Sequence, residues 1–149
     1  MILSILSAFI STIGFSIVFH VQKKHLLICG ATGAISWTIY LLLNQKGNSS
    51  VLASFLATLV VTALSYLLAK KRKTPITVFL IAGIIPLVPG LGLYRMMYAL
   101  LEEDYSLALD YATLTFEIAG VIAGAIVIIS LLPLLWRKPI KKQTKRPPQ

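Results

Sequence analysis

The chain has 149 residues, 57% of them hydrophobic, and a mean hydropathy of +0.84, too apolar for an ordinary soluble domain and too short for two large ones. A formal charge of +9 invites a nucleic-acid reading, yet the basic residues lie in short blocks between apolar stretches, as in membrane loops. Cys29 is the single cysteine, which excludes an intramolecular disulfide and a cysteine zinc site.

The hydropathy pattern predicts an all-α, polytopic membrane helix bundle of five spans: residues 2–19, 26–43, 51–69, 75–101 and 111–136. Each meets the roughly 17 to 25 residues that a crossing helix needs. The first is read as a span and not as a cleaved signal, because no positive charge precedes it and no small-residue cleavage site follows. His20 and His25 flank the basic loop after it and read as solvated loop histidines, with proton sensing as the alternative. In the second span Cys29 reads as a small packing residue. Gly30 and Ala34 there, and Gly120 and Gly124 with Ala119 and Ala123 in the fifth, are small residues at a spacing of four that lets helices approach closely. Trp37, Tyr40, Tyr66, Tyr98, Tyr105, Tyr111 and Trp136 fall toward span ends and read as interfacial anchors.

The fourth span is interrupted between Pro86 and Gly90. Pro86 and Pro89 remove two backbone donors and collide with the preceding turn, so a helix cannot run straight through. Groups freed by such a break are tolerated in a bilayer only where protein or a watery cavity satisfies them, and broken helices are where many secondary transporters hold substrate. Gly90 and Gly92 allow close backbone approach. The half-helix after the break points its free amides and positive dipole end at the gap, Arg95 follows about one turn on, and Tyr94 adds a hydroxyl. Together they predict a seat for a carboxylate. On the fifth span Thr113, Thr115 and Glu117 are further polar candidates. Arg95 lies seven residues before Glu102, and Glu117 seven after Asp110, so an antiparallel hairpin is expected to bring both charges to one depth. There they either fix the hairpin as a structural pair or serve substrate or proton movement.

Charge sets the expected topology. Twelve of the 14 Lys and Arg fall between spans one and two, between three and four, or after five, which predicts those segments on the cytoplasmic side. The amino terminus is then outside and the carboxyl terminus inside. Residues 1–136 form the membrane domain, and residues 137–149 are a basic cytoplasmic tail, without apolar periodicity, held near anionic lipid. RNA binding by the tail is the weaker alternative, because no aromatic stacking residue lies beyond Trp136. An odd span number cannot divide into two equal inverted halves, so an inverted repeat would need another chain. The sequence has no Ser/His pair or zincin motif for intramembrane hydrolysis, and no phosphate-binding glycine loop for ATP. No enzyme activity and no cofactor or metal is expected.

The stretch from Thr74 to Gly90, with Gly83, Pro86, Pro89 and Gly90 at fixed spacing, then Tyr94, Arg95 and the acidic run Glu102 to Asp104, resembles the small membrane subunit of the bacterial threonine/serine exporter family in its two-component form. The stretch from Phe19 to Gly30 is similar to that family's first loop and second helix. The resemblance implies a subunit of a secondary active exporter in the bacterial inner membrane, working with a larger membrane partner. It further implies a small carboxylate-bearing substrate, threonine or serine or a dicarboxylate such as succinate. Pro86, Pro89, Gly90, Gly92, Tyr94, Arg95 and Glu117 are the residues expected along the path. A homo-oligomer is a further possible assembly. The alternative function is a non-transporting scaffold whose broken helix docks the larger chain.

Overall fold

A computed structural model describes residues 1–136, with side chains through Leu131; the basic tail expected over 137–149 lies outside the described residues. Six α-helices follow in order: α1 (Ile2–Val18), α2 (Leu26–Gln45), α3 (Ser50–Arg72), α4 (Ile76–Ile84), α5 (Gly90–Leu101) and α6 (Tyr105–Trp136). The described residues contain no strand. A 3₁₀ turn over Ile85–Leu87 extends α4.

Three helical stretches are long and apolar enough to cross a bilayer: Lys23–Gln45, Ser50–Arg72 and Tyr105–Leu131. The pair Ile76–Leu87 and Gly90–Leu101, bent by 46°, makes a fourth if it is one span. α1 has 17 residues and falls short of that length. The expected interruption is thus present, and its cause is local. Pro86 sits in the 3₁₀ turn, Val88 takes the extended φ −59°, ψ 128° that a following proline favours, and Pro89 caps α5.

The turns are built from capping chemistry. Ser49 accepts from the Leu52 amide at 3.2 Å to start α3, and Asp104 accepts from the Leu107 amide at 3.0 Å to start α6. Lys73 ends α3 in the left-handed region at φ 51°, so the Thr74 amide reaches back to the Ala69 carbonyl at 3.1 Å.

α2 lies at the centre, packed by α1, α3 and α4. α3 also packs on α6, whereas α5 leaves the bundle and packs along α6. Besides Phe79, Leu80, Leu87 and Ile122, the interior is made mostly of small and hydroxylated residues. Ala8, Thr12 and Ser16 are buried on α1, with Thr12 against Gly33 of α2, and Cys29, Thr32 and Ser36 of α2 meet α4, while α3 contributes Ser54, Ala57, Thr58, Val61, Thr62 and Ser65. Apolar side chains instead face outward in numbers no water-soluble fold would carry, including Ile2, Leu27, Leu91, Leu101 and Phe116. This inversion suits a solvent of lipid tails, in which helix contacts form through close packing and not through apolar burial. The hydroxyls of Ser54, Thr58 and Thr62 satisfy themselves on their own helix, each donating to a carbonyl four residues back at 2.7 to 2.8 Å. The single Ser36 hydroxyl proton is shared between two carbonyls, Gly33 of its own helix at 2.8 Å and Gly83 of α4 at 2.7 Å.

One loop residue departs from expectation. His25 is 2% exposed and not solvated. Its ring meets Phe79 edge-on with centroids 5.4 Å apart, and Nε2 lies 3.4 Å from the Thr74 hydroxyl. Packing on the α3–α4 turn, which sequence neighbours do not reveal, removes it from water. His20 stays exposed at φ 56°.

Candidate functional site

The break opens outward, away from the hydroxyl-lined interior. A side chain placed on Gly33 would strike Thr12, and one on Gly83 would strike Val61, so α1, α2, α3 and α4 are in contact where a passage between them would run. Gly90, by contrast, has open space around its α-carbon, and Leu91 and Val88 beside it are exposed. The break is therefore anchored on its inner side by the buried Leu87, which packs with Ala57 and Ile122, and is open to the surface from Val88 to Leu91.

Each expected path residue now has a place. Pro86 is half-buried and lines a groove of about 420 Å³ with Ser4, Ser7, Ser11 and Trp37. That serine stripe of α1 was missed in the sequence, although its spacing of three and four residues was the signal. Pro89 caps α5, and the exposed Gly90 opens its first turn. Gly92 has a packing role: its α-carbon abuts Thr115 of α6, with no room for a methyl group. Thr115 is buried there and donates to the Tyr111 carbonyl at 2.6 Å.

Arg95 and Tyr94 line a cleft of about 290 Å³ between α5 and α6, together with Tyr98, Ala99, Glu102, Leu107 and Tyr111. The Arg95 guanidinium lies over the Tyr111 ring, 5.8 Å from its centroid, a cation–π contact worth about 0.5 to 2 kcal/mol. Tyr94 and Tyr98 stack one turn apart at 6.3 Å.

Glu117 does not join this group. The antiparallel hairpin sets Gly92 against Thr115 and Arg95 against Tyr111, so Glu117 falls opposite Gly90, about 7 Å further along the axis than Arg95. Two residues beyond Thr115, it also points about 160° away from the α5-facing side and is exposed. The expectation of equal depth took residues 102–110 as linker. Asp104 instead caps α6, which begins at Tyr105, so only Glu102 to Asp104 form the turn and Asp110 is already on the helix. Thr113, Glu117, Gly120 and Gly124 share this outward face at a spacing of four, three and four residues, and Gly120 and Gly124 have open space beside them.

At the opposite end Tyr66, Lys70, Lys73, Thr74, Ile76 and Ser130 line a shallow groove of about 440 Å³. It gathers loop cations but lies away from the break. Among the described residues no group of three or more His, Cys, Asp or Glu could hold a metal ion.

No solved structure matches this chain. A family model described as Threonine/Serine exporter, ThrE, matches residues 4–132, from the serine stripe of α1 through the break and the Arg95 cleft into the last turns of α6. The chain belongs to the threonine/serine exporter family and is a multi-pass membrane transport protein.

Proposed function

We propose that the chain is one subunit of a secondary active exporter of small carboxylate-bearing metabolites, threonine or serine or a dicarboxylate such as succinate, and that a larger membrane subunit completes the path. The observation that carries this reading is the contrast between a closed interior, in which Gly33 touches Thr12 and Gly83 touches Val61, and a break that opens outward. An exposed half-helix terminus and arginine are costly against lipid and become useful once another chain encloses them. In this reading Pro86, Pro89, Gly90, Tyr94 and Arg95 line a passage between the two chains. Gly92 holds α5 on α6, and Glu117 borders the passage from the partner-facing side of α6. The chain sits in the bacterial inner membrane with five spans, its amino terminus outside and its basic tail inside.

Reconstituted with its partner in liposomes, the complex is expected to move threonine or succinate down an imposed gradient. Arg95→Ala is expected to reduce flux at least about tenfold, the scale of one lost charge-assisted contact, while partner capture stays intact. Unchanged flux in that variant discards the site. The second reading, a non-transporting scaffold, draws on the same exposed α5–α6 hairpin as a docking surface. It is favoured if crosslinks run from Gly90 into the larger chain and substrate does not protect against them.

A further inference from the structure

We propose that the groove between the end of α3, the α3–α4 turn and α6 holds the phosphate of an anionic phospholipid headgroup, with Lys70 and Lys73 as its cations. The site lies at the other end of the bundle from the Arg95 cleft and is independent of what the chain transports. Tyr66, Lys70 and Lys73 follow one another at spacings of four and three residues, which sets them on one face of the last turns of α3, and all three line the groove. Lys73 then ends the helix in the left-handed region at φ 51°, and the Thr74 amide folds back onto the Ala69 carbonyl at 3.1 Å. That turn brings Thr74 and Ile76 to a second wall, and Ser130 of α6 completes a volume of about 440 Å³.

The charge pattern calls for an anion from outside the chain. All five acidic side chains, Glu102, Glu103, Asp104, Asp110 and Glu117, lie within sixteen residues of sequence, and none lines the groove. Glu117, the one nearest to Ser130 along α6, is 13 residues away, about 20 Å along the axis. Two ammonium groups on one helical face repel each other without a counterion. A phosphodiester supplies the missing charge and several acceptor oxygens, and the Tyr66 and Ser130 hydroxyls are further donors toward it. Thr74 serves as wall, because its hydroxyl already donates to the Arg72 carbonyl at 3.0 Å. Ala69 and Ile76 give the groove an apolar side, along which the glycerol and first acyl carbons of a lipid can lie. Free phosphate has no group to place there, so the lipid is the better-matched source. Basic pockets between helices at a membrane surface hold anionic headgroups in this way.

The test is native mass spectrometry of the full chain in detergent, titrated with dioleoyl phosphatidylglycerol or dioleoyl phosphatidylcholine, with and without excess inorganic phosphate. Wild type is expected to bind the first phosphatidylglycerol at least about fivefold tighter than phosphatidylcholine, the scale of one cation beside an anionic headgroup, and to keep it when phosphate is added. Lys70→Gln/Lys73→Gln is expected to bring the preference below about twofold, and Lys70→Arg/Lys73→Arg to retain it. Lys71→Gln/Arg72→Gln removes the same charge from the same turn but outside the groove, and is expected to leave the preference in place. Melting temperatures in phosphatidylcholine are expected to agree within a few degrees across these surface variants, so that a lost preference reads the site and not the fold. Each single variant, Lys70→Gln or Lys73→Gln, is expected to fall between wild type and the pair, which serves if the pair does not fold. An equal loss in both Gln pairs overturns the site in favour of diffuse loop charge. A wild type indifferent to the headgroup overturns it too, and displacement of the lipid by inorganic phosphate overturns the lipid as its occupant.

Discussion

At Gly33 a single methyl group decides whether two helices can touch. The α-carbon sits so close to Thr12 that an alanine side chain would overlap its hydroxyl and its β-carbon, and both residues are buried. Overpacking of this kind costs about 1 to 3 kcal/mol, so Gly33→Ala is expected to lower thermal stability in detergent by several degrees. Thr12→Ala removes the closest atom, so in the double variant part of the loss is expected to return. A Gly33→Ala protein as stable as wild type would show that α1 and α2 are not in contact there. The sequence pointed to glycine and alanine as contact residues and passed over the hydroxyls. Yet Ser54, Thr58 and Thr62 stand at a spacing of four in plain view and are buried. They were missed because a hydroxyl in an apolar span reads as neutral until its acceptor is known, and here the acceptors are carbonyls of its own helix. His25 was missed for the opposite reason: what buries it, Phe79 and Thr74, lies about fifty residues on in the chain.

Among the helices, α6 shows how a correct element can carry a wrong register. Its apolar run was legible, and so was the break of α4 from α5, because proline chemistry is local. The depth of Glu117 was not, since it depends on whether Asp104 caps the helix or Asp110 ends a loop, and one capping bond to the Leu107 amide moves the start by six residues. The outward face that results has a definite consequence. Gly120 and Gly124 form a pair four apart with open space beside them, the pattern on which membrane helices dock closely, and Glu117 stands one turn away on the same side. A symmetric pairing with a second copy would set two Glu117 carboxylates against each other near the axis, so in the two-chain reading proposed above this face suits a larger subunit that offers a donor or a cation. Gly124→Ile is therefore expected to reduce capture of the larger subunit about tenfold or more, by blocking close approach. Ala123→Ile, exposed but turned about 100° from that face, is expected to leave capture within about twofold. Enhanced self-association in Glu117→Gln, with capture of the larger chain untouched, would assign the face to a second copy instead.

For the whole molecule, the distribution of charge and the length of α1 pull on one question, which is where the amino terminus lies. The turns at Lys23 and Lys24 and at Lys70 to Lys73 carry cations, while Glu102 to Asp104 carries acids, and the alternation of α2, α3, the α4–α5 pair and α6 puts the two sets at opposite ends. Lys and Arg bias such loops to the cytoplasmic side. α1, however, has 17 residues and covers about 25 Å at 1.5 Å per residue, against a hydrocarbon core of about 30 Å. It closes that gap only if the membrane thins locally or the residues beside Met1 enter the interface. Its packing along α2, with Ala8, Thr12 and Ser16 buried and Ser4, Ser7 and Ser11 lining the groove at Pro86, argues that it runs the full height of the bundle. Single cysteines in a Cys29→Ala chain can decide this with a membrane-impermeant maleimide applied to intact spheroplasts. Positions 3, 48 and 103 are expected to label from outside, and positions 23 and 71 only after permeabilisation. Position 3 labelling with the second group, while 48 and 103 keep their side, would reduce the spans to four. The break and the Arg95 cleft would stay where they are, and α1 would become a helix lying in the inner interface, which its burial against α2 opposes.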